Sequence, residues 1–290
     1  MVRILSGYYY VQTEQGEIRC RARGRMQLSD LTPVVGDRVV LSYREDGDGA
    51  LESVYPRKNS LRRPQVANVD QMLVMGALAE PAPNLLLIDR LLVTADFLGL
   101  DALLGFNKAD LDSSDAAAGL RTIYRPAGYP LFTFSIRQEQ GLEGLLQQLQ
   151  GKVTVLAGQS GVGKSSLINW LAGEKTAETG RVSRKGGTGR HTTRHVELLP
   201  LPGLKDSYIV DTPGFSRLEL PEELEAVHLD QFFPEMRMRT GCRFAPDCAH
   251  LAEPGCAVKE AVQQDLIAPE RYQSYQALHQ ELKELERRYY

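Results

Sequence analysis

Gly158-Gln159-Ser160-Gly161-Val162-Gly163-Lys164-Ser165 stands between a β-type run, Val153 to Leu156, and the helical text Ser166 to Leu171. Its glycines let successive backbone N–H groups turn toward one anion, and the following helix presents its positive end to the same charge. This is the pattern of a phosphate-binding loop, with Lys164 to bridge the β- and γ-phosphates of a nucleotide and Ser165 to supply a hydroxyl to magnesium. A strand before it and a helix after it place an α/β nucleotide domain in the middle of the chain.

Two further motifs flank this loop. Downstream, the run Ser207 to Val210 ends in Asp211-Thr212-Pro213-Gly214. Asp211 is placed to hold magnesium through a water, and Gly214 to offer its N–H to the γ-phosphate. Upstream, the run Asp101 to Phe106 ends in Asn107-Lys108-Ala109-Asp110. Asp110 can accept from guanine N1–H and the exocyclic amine, which adenine lacks, while Lys108 covers the base and Asn107 ties the loop together. Phe134-Ser135-Ile136, at the end of another β-run, offers a backbone contact to guanine O6. In most guanine-nucleotide switches the base-reading tetrad comes last; here it comes first, which implies a rearranged nucleotide domain.

Between the loop and Asp211 lies the basic, glycine-rich stretch Gly180 to His195, with Arg181, Arg184, Lys185, Arg190 and Arg194. It reads as a switch segment whose threonine, Thr192 or Thr193, joins magnesium and the γ-phosphate. Its charge fits either phosphate or RNA contact or a solvated loop. Phe215 occupies the place where signalling GTPases carry a water-orienting glutamine, which predicts slow intrinsic hydrolysis. His191, beside the threonines, is a candidate for the missing group; the alternative is a histidine that only neighbours phosphate or solvent.

The text around this centre divides the chain into three parts. Residues 1–64 are short β-runs (Gly7 to Gln12, Glu17 to Arg23, Asp37 to Tyr43, Leu51 to Tyr55) separated by turn signals, which predict a small antiparallel barrel. Arg19, Arg21, Arg23 and Arg25 alternate along one strand face, either solvated or facing RNA. Residues 65–220 alternate strands and helices: Gln71 to Ala77, Leu85 to Leu98, Asp101 to Phe106, Ser114 to Ala127, Leu131 to Phe134 and a helix from Gly141. Residues 221–290 are charged helical text, where Leu278, Leu282, Leu285 and Tyr289 form a stripe that packs on the chain's own core or on a partner helix.

Cys242, Cys248, His250 and Cys256 crowd into this last part. Thiolate and imidazole suit zinc, and four protein ligands close a tetrahedral shell, so a structural ion is expected rather than a catalytic one. The fourth cysteine, Cys20, reads as a small apolar core residue, and His228 and His279 as surface residues. A formal net charge of -3 excludes a globally basic nucleic-acid binder, so any RNA contact must be local, and DNA is not expected. The longest apolar runs, Met72 to Ala79 and Leu85 to Ile88, are too short to span a bilayer, and the start lacks a secretory signal; a cytoplasmic protein is expected.

The permuted motif order, the stretch Gly189-Arg190-His191-Thr192-Thr193, the loop Gly158 to Ser166 and the Cys-Cys-His-Cys group together resemble the circularly permuted GTPases called RsgA or YjeQ. The resemblance covers the full length. It implies an oligonucleotide-binding (OB) barrel, a permuted phosphate-loop GTPase domain and a mainly helical zinc-binding domain. It also implies GTP and GDP as ligands with magnesium, zinc at Cys242, Cys248, His250 and Cys256, and stimulation by the small ribosomal subunit and its RNA late in maturation. A monomer is expected. Arg194 departs from the family, whose members often carry a third threonine there. A regulatory switch acting on a protein effector without RNA is the competing reading; an adenine-nucleotide enzyme is disfavoured by Asp110.

Overall fold

The computed structural model describes residues 1–22, 32–44, 47–62, 64–173, 196–211 and 220–289. Strands β1 (Arg3–Leu5), β2 (Tyr8–Thr13), β3 (Gly16–Ala22), β4 (Val39–Tyr43), β5 (Gly49–Val54), β6 (Ser60–Arg62) and β7 (Gln65–Ala67) come first. There follow β8 (Gln71–Ala77), α1 (Leu85–Phe97), β9 (Asp101–Asn107), α2 (Ala116–Tyr124), β10 (Leu131–Thr133), α3 (Glu143–Leu149), β11 (Val153–Gly158) and α4 (Lys164–Leu171). Next are β12 (Glu197–Pro200), β13 (Tyr208–Asp211), α5 (Pro234–Arg237), α6 (Ala257–Gln263) and α7 (Pro269–Tyr289).

The chain forms two compact units. One comprises Met1–Gln71, Leu146–Leu156 and Ser165–Phe215. Its strands run in the order β11-β13-β12-β1-β2-β3-β5-β4. The barrel strands β1 to β5 are antiparallel except for β3 and β5, which pair in parallel at Cys20↔Gly49, as an OB-type Greek key requires. Alternation along β3 explains its placement: Glu17, Arg19 and Arg21 are exposed while Cys20 is fully buried. Cys20 packs with Met1, Val11 and Leu51 in the barrel core, the role expected of it. One join carries no sequence signal: β1 pairs with β12 at Arg3↔Glu197, so the barrel continues the sheet that holds β13 and β11.

The second unit comprises Met72–Leu145, Ala157–Lys164 and Ser216–Tyr290. Here β9 lies between β10 and β8, and β8 is buried along its whole length, as its unbroken apolar run predicts. Asn84 caps α1 by accepting from the Leu87 N–H at 3.0 Å. The C-terminal helices share one core, in which Leu278 and Leu282 of α7 pack with Phe233, Met236, Leu229 and Val93, and Leu285 sits at its margin. The leucine stripe therefore packs on the chain's own core. His279, expected at the surface, is instead buried, because it lies on the inward side of α7 next to Tyr275, with ring centroids 6.0 Å apart.

A buried ionic group fastens α7 within this unit. Arg271 bonds Glu235 through Nε and Nη2 at 2.7 and 3.1 Å and Asp89 through Nη1 at 2.6 Å, while the Tyr124 hydroxyl donates to Asp89 at 2.9 Å. Arg271 is only 1% exposed. Burial raises the Asp89 carboxyl pKa, and the Arg271 charge opposes it.

Candidate functional site

All three sequence motifs fall at strand ends: Asn107 ends β9, Gly158 ends β11 and Asp211 ends β13. β11 and β13 pair in parallel with Val155 opposite Val210, so Asp211 ends the strand beside the one from which the phosphate loop departs.

The loop needs glycine where its backbone passes close to neighbours. A Cβ on Gly158 would lie 2.1 Å from the Met75 carbonyl oxygen, and one on Gly163 would lie 2.3 Å from Asn107 Nδ2. Both residues also hold φ values open mainly to glycine, +137° and +101°. The space left open at Gly163 is used by Asn107. Its Nδ2 donates to the Val162 carbonyl at 3.0 Å, and its Oδ1 accepts from the Ile136 N–H at 3.2 Å. One buried amide thus joins the tetrad, the phosphate loop and the loop after β10.

Asp110 is oriented by the same assembly. Ser135 Oγ donates to Asp110 Oδ1 at 2.6 Å and accepts from the Gln138 N–H at 3.1 Å. The Ala109 N–H donates to the Phe134 carbonyl at 3.1 Å. Ser135, expected to offer backbone, therefore also uses its side chain to fix the carboxylate. Lys108 adopts a left-handed conformation, φ 64°, and its ammonium donates to the Glu80 carbonyl, a partner that no sequence signal marked. Lys164 heads α4 and donates to the Gly158 and Gln159 carbonyls at 2.8 and 2.7 Å; partial burial lowers its pKa. Ser165 and Ser166 follow it in the first turn of α4. The expected switch residues His191, Thr192 and Thr193, and also Gly214 and Phe215, lie outside the described residues.

The four predicted metal ligands come together. One atom from each of Cys242, Cys248, His250 and Cys256 lies within 4.8 Å of the others. His250 Nδ1 is 3.6 Å from Cys242 Sγ and 3.3 Å from Cys256 Sγ, and those two sulfurs are 4.0 Å apart. A tetrahedral ion with metal–sulfur bonds of about 2.3 Å and a metal–nitrogen bond of about 2.0 Å spaces its ligand atoms roughly 3.5–3.8 Å apart. The donor set fits such an ion. Burial pushes the Cys248 thiol up to about 12 without one, a cost that a divalent cation would remove by binding thiolate.

On the barrel, Arg19 and Arg21 share a face with Tyr8, as alternation predicts; each guanidinium lies over the Tyr8 ring, at 5.0 and 4.6 Å from its centroid. Arg3 lies over Tyr10 on the neighbouring strand. Carboxylates moderate this positive face: Arg19 is bidentate to Asp48, and Arg3 pairs with Glu17. Arg23 and Arg25 lie outside the described residues.

Strand ends that gather a phosphate loop and a base tetrad, with the tetrad first in the chain, define a phosphate-loop nucleotide domain of circularly permuted order. Residues 54–221 match the family described as RsgA GTPase, and residues 1–51 match the one described as RsgA N-terminal domain. The chain belongs to the RsgA GTPase family. Among curated relatives, the small ribosomal subunit biogenesis GTPase RsgA of Moorella thermoacetica is 44% identical over 280 aligned positions, covering 95% of this chain and 93% of the relative. Its namesake from Caldanaerobacter subterraneus subsp. tengcongensis is 40% identical over 291 positions, covering 100% and 97%. Two solved structures, YloQ, described as a circularly permuted GTPase, and YjeQ from Thermotoga maritima, superpose with TM-scores of 0.81 and 0.81 at 35% and 36% identity. They cover 98% and 97% of this chain, which spans 94% and 96% of theirs.

Proposed function

We propose that this chain hydrolyses GTP to GDP and phosphate in response to the small ribosomal subunit, whose late maturation it serves. The observation that carries the nucleotide reading is the Asn107 amide, bonded to both Val162 and Ile136, which fixes the base-reading loop against the phosphate loop. The subunit reading rests on relatives named for small-subunit biogenesis that align along nearly the whole chain. A regulatory switch without RNA has no observation in its favour.

In this reading Asp110, held by Ser135, accepts guanine N1–H and the exocyclic amine, and the Lys108 stem covers the base. Backbone N–H groups of Gly158 to Ser165 surround the phosphates, and Lys164 exchanges its carbonyl partners for phosphate oxygens. Magnesium, held by Ser165, Asp211 and Thr193 or Thr192, would supply charge neutralisation between the phosphates. His191, next to the two threonines in sequence, orients the attacking water. Zinc at the Cys-Cys-His-Cys group serves folding, since four protein ligands leave no open position. The arginine-tyrosine face of the barrel contacts ribosomal RNA. A cytoplasmic location fits relatives named for ribosome biogenesis, and a monomer is expected. Among the described residues no helix is long and apolar enough to cross a membrane. The three parts 1–64, 65–220 and 221–290 act as barrel, GTPase and metal-binding domains.

Turnover of GTP with and without purified small subunits tests the proposal. Many-fold stimulation, weakening as salt rises, is expected. Equal turnover in both conditions would reject the ribosomal part of it.

A further inference from the structure

His250 sits in a loop whose geometry is held from several sides. Its backbone is left-handed, φ 58°, a conformation that a non-glycine residue adopts only where its surroundings hold it there. Glu253 straps the loop: its two carboxylate oxygens accept the N–H groups of Ala249 and Leu251, on either side of His250, at 3.0 and 2.8 Å. From α7, the Tyr272 hydroxyl donates to the His250 carbonyl at 2.7 Å and the Tyr275 hydroxyl to the Ala249 carbonyl at 2.8 Å. The imidazole turns Nδ1 toward the two sulfurs, leaving Nε2 on the far side. A neutral imidazole that ligates through Nδ1 must carry its proton on Nε2, and His250 is only 7% exposed, so that proton needs an acceptor within the protein. Asp230 Oδ2 lies 3.6 Å from Nε2. This is ion-pair range, and a side-chain shift of a few tenths of an ångström brings the two into hydrogen-bond reach.

We propose that Asp230 and Glu253 are positioning residues of the metal centre: Asp230 holds the Nε2–H tautomer so that Nδ1 faces the metal, and Glu253 fixes the backbone that carries it. The inference rests on the reading of Cys242, Cys248, His250 and Cys256 as a zinc site. Neither residue is a ligand. Both act through His250, as carboxylates behind metal-bound histidines do.

The test uses the full chain. Zinc is titrated against a competing chelator, and cobalt(II) is substituted to read the ligand field. Asp230→Ala is expected to weaken zinc binding by about 10- to 100-fold. Asp230→Asn keeps an acceptor oxygen without the charge and should lose less, and Glu253→Gln should lose roughly tenfold. His228→Ala, an exposed histidine of the same segment, should match the parent. In the ¹⁵N-histidine-labelled parent, two-bond couplings should show Nδ1 metal-bound and Nε2 protonated; this holds the proposal to account even where a variant does not fold. Metal on Nε2, or affinities of the Asp230 and Glu253 variants within twofold of the parent, would overturn it. Failure of the unmutated chain to take zinc would instead remove the metal reading on which it stands.

Discussion

Gly163→Ala puts the geometry of the nucleotide site under the most direct strain. The added methyl would stand 2.3 Å from Asn107 Nδ2, against an ordinary contact distance of about 3.5 Å, so the amide must move by roughly 1 Å. That motion breaks its bonds to the Val162 carbonyl and the Ile136 N–H, at 3.0 and 3.2 Å. Leaving such buried groups unpaired costs about 1–3 kcal/mol, and holding alanine at φ +101° costs about 1–3 kcal/mol more. A loss near 3 kcal/mol in the competent site corresponds to about a 100-fold weaker affinity for GDP. Titration with a fluorescent guanine nucleotide measures it. The mechanism also predicts non-additivity: Asn107→Ala vacates the space, so adding Gly163→Ala to that variant should cost only the backbone part. GDP binding by Gly163→Ala within threefold of the parent, or the same penalty in both backgrounds, would rule out Asn107 as the group that the methyl displaces.

Other outcomes follow from neighbouring contacts. Ser135→Ala removes the 2.6 Å bond to Asp110 and should weaken GDP binding by about 1.5 kcal/mol, roughly tenfold, with little change in urea stability. Arg271→Met leaves Asp89 and Glu235 buried beside each other without their cation and should cost about 3–5 kcal/mol in denaturant unfolding; a loss below 1 kcal/mol would contradict the arrangement. The Glu286 carboxyl accepts the Ala226 N–H at 2.8 Å, which, with Lys283 nearby, holds its pKa below the ordinary 4.5. A depressed acid stabilises the fold fully above its unfolded pKa and loses that contribution as pH falls through the folded value. Glu286→Gln should therefore cost about 1 kcal/mol near neutral pH and converge with the parent in strong acid.

Legibility in the sequence followed how local each signal is. β8 and β11 announced themselves as apolar runs, and the loop at Gly158 to Ser165 and the tetrad at Asn107 to Asp110 carry their chemistry in consecutive residues. The candidate metal ligands are legible because they crowd between Cys242 and Cys256. β12 carries no clear signal: Glu197–Pro200 is short, ends in proline, and takes its place by pairing with β13 and with β1, the latter far from it in sequence. Asp89 was visible only as a break in an apolar run, and Arg271 only as one charge among many. Their pairing spans 182 residues and follows from the tertiary fold alone. Asp230 and Glu253 stood outside the ligand pattern for a similar reason, since what they do depends on where the His250 loop turns. The burial of His279 has no signal in the leucine stripe, which marks the centre of the inward face of α7 and not its width.

The proposed function turns on Asp110, which reads guanine from a tetrad that precedes the phosphate loop. Turnover of GTP, ATP and xanthosine triphosphate by the parent and by Asp110→Asn decides whether it does. The parent should prefer GTP over ATP by several orders of magnitude, and the variant should invert toward the xanthine nucleotide, whose C2 oxygen accepts from the new amide. Comparable use of ATP and GTP by the parent, or an unchanged preference in Asp110→Asn, would contradict it.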